Sequence, residues 1–153
     1  MRDLLRRHHA PGRIVWIGVR AARLADLRDV ESCALSDSGL EGDHARPGKR
    51  ALTLLQAEHL PVIAALAGLA EVTPQMLRRN IVVAGINLSA LRGASVCLGA
   101  AVIEITGPCA PCSRMETMLG RGMYNAMRGH GGWCASVTVP GRIARGDSVV
   151  LND

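Results

Sequence analysis

Val96-Cys97-Leu98-Gly99-Ala100-Ala101-Val102-Ile103-Glu104-Ile105-Thr106 decides the fold class. Residues 96–98 and 101–106 are dominated by β-branched and apolar side chains, and two small residues separate them. That is the spacing of a hairpin. Working outward, Gly12-Arg13-Ile14-Val15-Trp16-Ile17-Gly18-Val19 reads as a strand bounded by Pro11 and Gly12. Residues 29–35 alternate weakly and read as a second strand. Residues 51–55, 80–85 and 133–139 read as further strands, and Gly146-Asp147 opens a last one through Leu151. Helical spacing of apolar residues is confined to 56–66, to a short helix opening at Thr73-Pro74, and to 113–118 and 123–127. Residues 36–44 are dense in turn formers and read as a loop.

Many short strands, few short helices and frequent glycine turns predict a mostly β fold, closed into a barrel or sandwich. Strands do not alternate with long helices, which argues against a doubly wound parallel sheet. Residues 1–11 read as an N-terminal arm that is poorly ordered, and residues 12–153 as one domain.

Hydrophobic residues make up 48% of the 153 residues, enough to bury a core without disulfides or metals. There is no Phe, two Trp and one Tyr, so a stacking platform for single-stranded nucleic acid is excluded and nucleic acid is a disfavoured partner. The net charge of +5 comes almost wholly from arginine, Lys49 being the one lysine, and points to an anionic partner with phosphate-like geometry. No stretch approaches the roughly 20 apolar residues of a membrane span, and no signal peptide is read. A cytoplasmic location is expected, and the five cysteines are read as thiols.

Gly107-Pro108-Cys109-Ala110-Pro111-Cys112-Ser113-Arg114-Met115-Glu116 carries the chemistry. Cys109 and Cys112 admit three roles: a redox dithiol, half a zinc site completed by Cys134 and His130, or one reactive thiolate beside a helper. The third fits best. Cys112 precedes a predicted helix start with Arg114 nearby, both of which favour thiolate, and Pro108 and Pro111 stiffen the loop. Cys33, Cys97 and Cys134 are expected to be buried and inert. Arg78-Arg79-Asn80 is a candidate phosphate or heterocycle grip. Arg46, Lys49 and Arg50 form another basic group, and Asp43-His44 an acid–base or orienting pair. Loops of a barrel would bring these segments to one mouth.

Taken in order, Gly39-Leu40-Glu41-Gly42-Asp43-His44, Arg50-Ala51-Leu52-Thr53-Leu54, Arg78-Arg79-Asn80-Ile81-Val82-Val83-Ala84-Gly85-Ile86-Asn87-Leu88, residues 107–116 and Gly146-Asp147 resemble the MOSC family, the molybdenum cofactor sulfurase C-terminal domains. The resemblance implies a closed MOSC-type β-barrel that binds molybdenum cofactor, a molybdopterin with one phosphate. Pyridoxal phosphate is not expected to bind. It implies Cys112 as the position that ligates molybdenum or carries sulfur as a persulfide, which leaves Cys109 as a secondary partner or a bystander. Arg50, Arg78, Arg79, Asn80, Asp43, His44 and Arg114 become the expected cofactor-binding set. Two activities follow from the resemblance: reduction of N-hydroxylated compounds with electrons from a partner protein, or sulfur carriage supplied by a sulfur-donor protein.

Overall fold

A computed structural model describes residues 1–153. The strands run in chain order as β1 (Gly12–Val19), β2 (Arg28–Asp29), β3 (Ser32–Ser36), β4 (Gly39–Leu40), β5 (Leu52–Gln56), β6 (Ile81–Ala84), β7 (Ser95–Leu98), β8 (Ala101–Pro108), β9 (Trp133–Val139), β10 (Gly141–Ala144) and β11 (Ser148–Leu151). Five short helices accompany them: α1 (Arg2–Leu5), α2 (His59–Ala67), α3 (Pro74–Leu77), α4 (Ser113–Leu119) and α5 (Met123–Met127). A 3-10 turn spans Leu88–Leu91.

Seven strands close into a barrel. They run β11-β7-β8-β9-β5-β6-β1, and β1 pairs back onto β11 through Gly12↔Val149 and Arg13↔Ser148. Closure removes the unpaired edges that an open sheet would expose. The predicted hairpin forms as read, with Val96 opposite Ile103 and Leu98 opposite Ala101. A separate sheet, β10-β3-β4, packs beside the barrel.

Every barrel pairing is antiparallel except one. β5 and β6 run parallel, with Leu54↔Ile81 and Gln56↔Val83. A parallel pair needs a long crossover, and residues 57–80 supply it with α2 and α3. Thr73 caps α3, its Oγ1 accepting from the Met76 N–H at 3.4 Å, with Pro74 at the first helical position.

The crossover divides the interior in two. Leu52, Leu54, Ile81, Val83, Ile103, Ile105 and Ala135 point into the barrel. Leu55, Val82 and Trp16 point outward and are covered by Ile63, Leu77, Met115, Met123 and Met127 from the helices. With almost no aromatic rings available, methionine fills the outer core, where its flexible chain suits irregular gaps.

Three expectations need correction. The strand expected over 29–35 splits, because β2 pairs with β1 whereas β3 pairs with β10 and β4. The loop expected over 36–44 contains the two-residue β4. β10 was not expected at all. No helix is long and apolar enough to cross a membrane.

Candidate functional site

The site grows from a single level across four adjacent strands. Leu54 lies beside Ile81, which sets Thr53 beside Asn80. Thr53 pairs with Cys134, and Cys134 pairs with Gly107. Asn80 locks this level. Its Oδ1 accepts from the Thr53 N–H at 3.2 Å and the Thr53 hydroxyl at 3.1 Å, and its Nδ2 donates to the Gly18 carbonyl at 3.1 Å. The amide expected to grip a cofactor is thus committed to joining β5, β6 and β1.

On this level Thr53 faces away from the barrel interior, toward a basin of about 560 Å³. Arg20, Arg23, Arg50, Arg78, Arg79 and Arg114 line it, together with Thr53, Cys109, Cys112 and Ser113. No carboxylate lines it. The ion pairs of the molecule are Arg6–Asp153, Arg7–Asp3 and Arg145–Glu31, and none involves a basin arginine.

Several of these arginines are held in place by carbonyls. Arg79 is buried, its Nε donating to the Gly131 carbonyl at 2.7 Å and its Nη1 to that of Leu77 at 3.2 Å. Arg78, also buried, donates through Nη2 to the carbonyls of Arg23 at 3.0 Å and Ala25 at 2.8 Å. Burial, and then the charges of Arg20 and Arg114, push the Arg78 guanidinium below its ordinary value. Its backbone sits at φ 60°, the one non-glycine residue in the left-handed region. The Arg20 Nε is buried without a hydrogen-bond partner. Buried positive charge without a counter-ion costs free energy unless an anion completes it.

Asp43 and His44 do not line the basin; they hold its wall. Asp43 Oδ1 accepts from the Arg20 N–H at 2.9 Å, and the His44 N–H donates to the Arg20 carbonyl at 2.8 Å. The Arg114 Nε donates to the Met118 Sδ at 3.1 Å.

The cysteines separate into unlike environments. Cys112 is exposed and is the N-cap residue of α4, as the helix expected there requires. Cys109 is 4% exposed, and its N–H donates to the Gly132 carbonyl at 2.8 Å. Cys134, expected to be inert, belongs to the site. The β8–β9 register sets it opposite Gly107, two residues before Cys109, and Arg50 interacts with both sulfurs. Cys109 is driven from 9.0 down to about 6, chiefly because the Cys134 thiol donates to it. Burial opposes that shift, and Arg79 and Arg50 add to it. Cys134 is pushed up by the same hydrogen bond, by burial and by the negative charge on Cys109. The two shifts run in opposite directions, so Cys109 ionises before Cys134. Facing the two sulfurs, first Cys134 and then Cys109, raises the Arg50 guanidinium.

Two glycines make this packing close. A Cβ on Gly132, at φ 97°, would stand 2.2 Å from the Leu54 carbonyl oxygen, and one on Gly131 would stand 2.8 Å from that of Cys109. His130, weighed as a zinc ligand, instead meets His59 edge-on with ring centroids 5.1 Å apart. No group of three or more His, Cys, Asp or Glu side chains gathers anywhere. Cys97, expected to be buried, is half-buried on β7, opposite Val102 of β8 and Val150 of β11.

A closed seven-stranded barrel bearing a thiol-and-arginine basin on its outer face defines the class. The MOSC domain model matches residues 30–150, and the chain belongs to that family. Solved structures share the fold. YiiM from Geobacillus stearothermophilus superposes with a TM-score of 0.78 at 20% identity, over 94% of this chain and 76% of that one. The YUAD protein from Bacillus subtilis gives 0.76 at 16% identity, over 92% and 94%. YiiM from Escherichia coli gives 0.72 at 24%, over 92% and 70%. No curated protein matches the chain.

Proposed function

We propose that this protein binds molybdenum cofactor and handles its sulfur, with Cys112 as the thiol presented to the metal. The observation that carries the reading is the basin itself: six arginines without a carboxylate, one with a buried and unpartnered Nε, around two cysteine sulfurs. The residues fit the group. Arg50, Arg78 and Arg79 suit its phosphate, since guanidinium grips phosphate in a planar, bidentate way. Soft thiolate suits a soft, sulfur-ligated metal centre. When bound, the cofactor would supply two-electron redox chemistry or accept a sulfur ligand.

Two activities share this site. One is reduction of N-hydroxylated compounds, with electrons from a partner protein. The other is sulfur carriage on a Cys112 persulfide loaded by a sulfur-donor protein. The sulfur inventory favours the second. A metal ligand needs one thiol, whereas here a second, buried cysteine, Cys109, lines the same basin as Cys112.

Elemental analysis tests the binding. Protein produced in a cofactor-competent host should contain molybdenum, and Cys112→Ala should lower that content. Absence of molybdenum from both would overturn it. Mass spectrometry after incubation with a cysteine desulfurase tests the carriage, by a gain of about 32 Da, one sulfur, on the segment holding Cys109 and Cys112.

A further inference from the structure

Cys109 occupies a boundary. One side faces the arginine basin that Cys112 also lines. The other faces a cavity of about 300 Å³ bounded by Tyr124, Arg128 and Trp133. Pro108 and Pro111 bracket the segment and limit its freedom, and the Gly132 carbonyl fixes the Cys109 N–H. Cys112, three residues on, is exposed, whereas Cys109 and Cys134 are each 4% exposed. An exposed thiol can be reached by a donor protein, but a persulfide left there is open to any passing reductant. A buried thiol has the opposite properties. The two needs of a sulfur carrier are met by two different cysteines of one basin.

We propose that Cys112 and Cys109 form a two-station sulfur relay, in which Cys112 is loaded as a persulfide and passes its outer sulfur to Cys109, held ready by Cys134 and Arg50. This rests on the sulfur-carrying reading above. The Cys109 sulfur attacks the outer sulfur of the Cys112 persulfide. A bond forms between Cys109 Sγ and that sulfur. The bond from Cys112 Sγ breaks, and its electron pair leaves with Cys112 as thiolate. One negative charge stands on each side of the step, the proton stays on the transferred sulfur until exchange, and no oxidant or reductant is consumed. The Cys134 thiol lies beside the attacking sulfur and favours its ionised form. Arg50 and Arg79 offset that charge in the buried setting. Cys134 is a positioning residue here, while Cys109 and Cys112 are the reacting groups.

The experiment uses the full chain with a cysteine desulfurase and free cysteine, quenched with iodoacetamide and mapped by tandem mass spectrometry. Wild type should carry the added sulfur mainly on Cys109. Cys109→Ala should hold it on Cys112, where dithiothreitol removes it at least tenfold faster. Cys112→Ala should lose at least tenfold in loading of Cys109 by the desulfurase, yet still accept sulfur from inorganic polysulfide. Cys134→Ala should return the sulfur to Cys112, and Cys134→Ser, which keeps a donor and the shape, should restore it to Cys109. Sulfur confined to Cys112 in wild type would overturn the relay, as would loading of Cys109 at the wild-type rate in Cys112→Ala. A Cys109–Cys112 disulfide with release of sulfide would also overturn it, since it shows attack on the inner sulfur. Sulfur on neither cysteine would overturn the carrier reading and the relay together.

Discussion

Replacing Cys134 changes no charge and little volume, yet it should alter the acidity of a different residue. The Cys109 thiol titrates at about 6 against an ordinary 9.0, and the hydrogen bond from Cys134 is the leading cause. A hydrogen bond to a charged group contributes about 1.5–3 kcal/mol, which is about one to two units of acidity. Cys134→Ala should therefore move the Cys109 midpoint up by about one to two units, while Cys134→Ser, still a donor, should move it less than Cys134→Ala. The assay is ultraviolet thiolate absorbance against pH in a variant keeping only Cys109 and Cys134, with Cys33, Cys97 and Cys112 replaced by Ala. At pH 7 a thiol of pKa 6 is about 90% ionised and one of pKa 9 about 1%. Alkylation rate is a poorer readout. Nucleophilicity falls by a factor of roughly three per unit of lowered pKa, so most of the ninetyfold gain in thiolate is cancelled. The shape of the profile is decisive: absorbance should be complete near pH 7 rather than still rising at 9. A midpoint near 9 with Cys134 present, or no shift in Cys134→Ala, would refute the reasoning.

Other consequences are open to measurement. Asn80→Ala strips partners from the Thr53 N–H and hydroxyl and from the Gly18 carbonyl, and should cost about 3 kcal/mol in urea unfolding, at about 1 kcal/mol for each buried group left unpaired. Arg79→Ala should weaken pyrophosphate binding in calorimetry about ten- to a hundredfold, the scale of a charge-assisted contact, whereas Arg46→Ala, outside the basin, should leave it unchanged. His59 is held below its ordinary 6.5 by burial and then by His130. The unfolded chain then binds more protons, so stability should fall as pH falls below about 6.5. His59→Gln should flatten that slope in melting curves.

Much of the barrel was legible because its strands are short, β-branched and punctuated by turns. Residues 96–106 spell out β7, the turn and β8, and 133–139 and 123–127 coincide with β9 and α5. The parallel β5–β6 pair was not legible. Both faces of these strands are buried, Leu54 and Ile81 inward, Leu55 and Val82 outward, so the period-two signal that betrays a strand's partner face is absent. The site divides the same way. Cys109, Cys112, Arg50, Arg78 and Arg79 sit in recognisable segments. Cys134, Arg20 and Arg23 do not. Cys134 meets Cys109 only through the register of β8 on β9, which shifts between Ile105 and Gly107 and so cannot be counted out from spacing. Arg20 and Arg23 follow β1 in a stretch with no motif, and only the fold turns them toward the basin. Reasoning from a helix start pointed to Cys112 as the activated thiol, but the lowered thiol is Cys109, three residues earlier, where Cys134, Arg79 and Arg50 gather.

Arg78 combines a left-handed backbone, a buried guanidinium and neighbours of like charge. Each is a cost to the folded chain that a glycine or asparagine at the same position would avoid or reduce. Selection for stability and selection for the basin therefore pull this position in opposite directions. A library of variants sorted only for thermal tolerance should accumulate Gly or Asn at 78 early, and those clones should melt higher while losing affinity for phosphate anions. The residue's persistence in a sequence would then be a record of ligand binding rather than of folding.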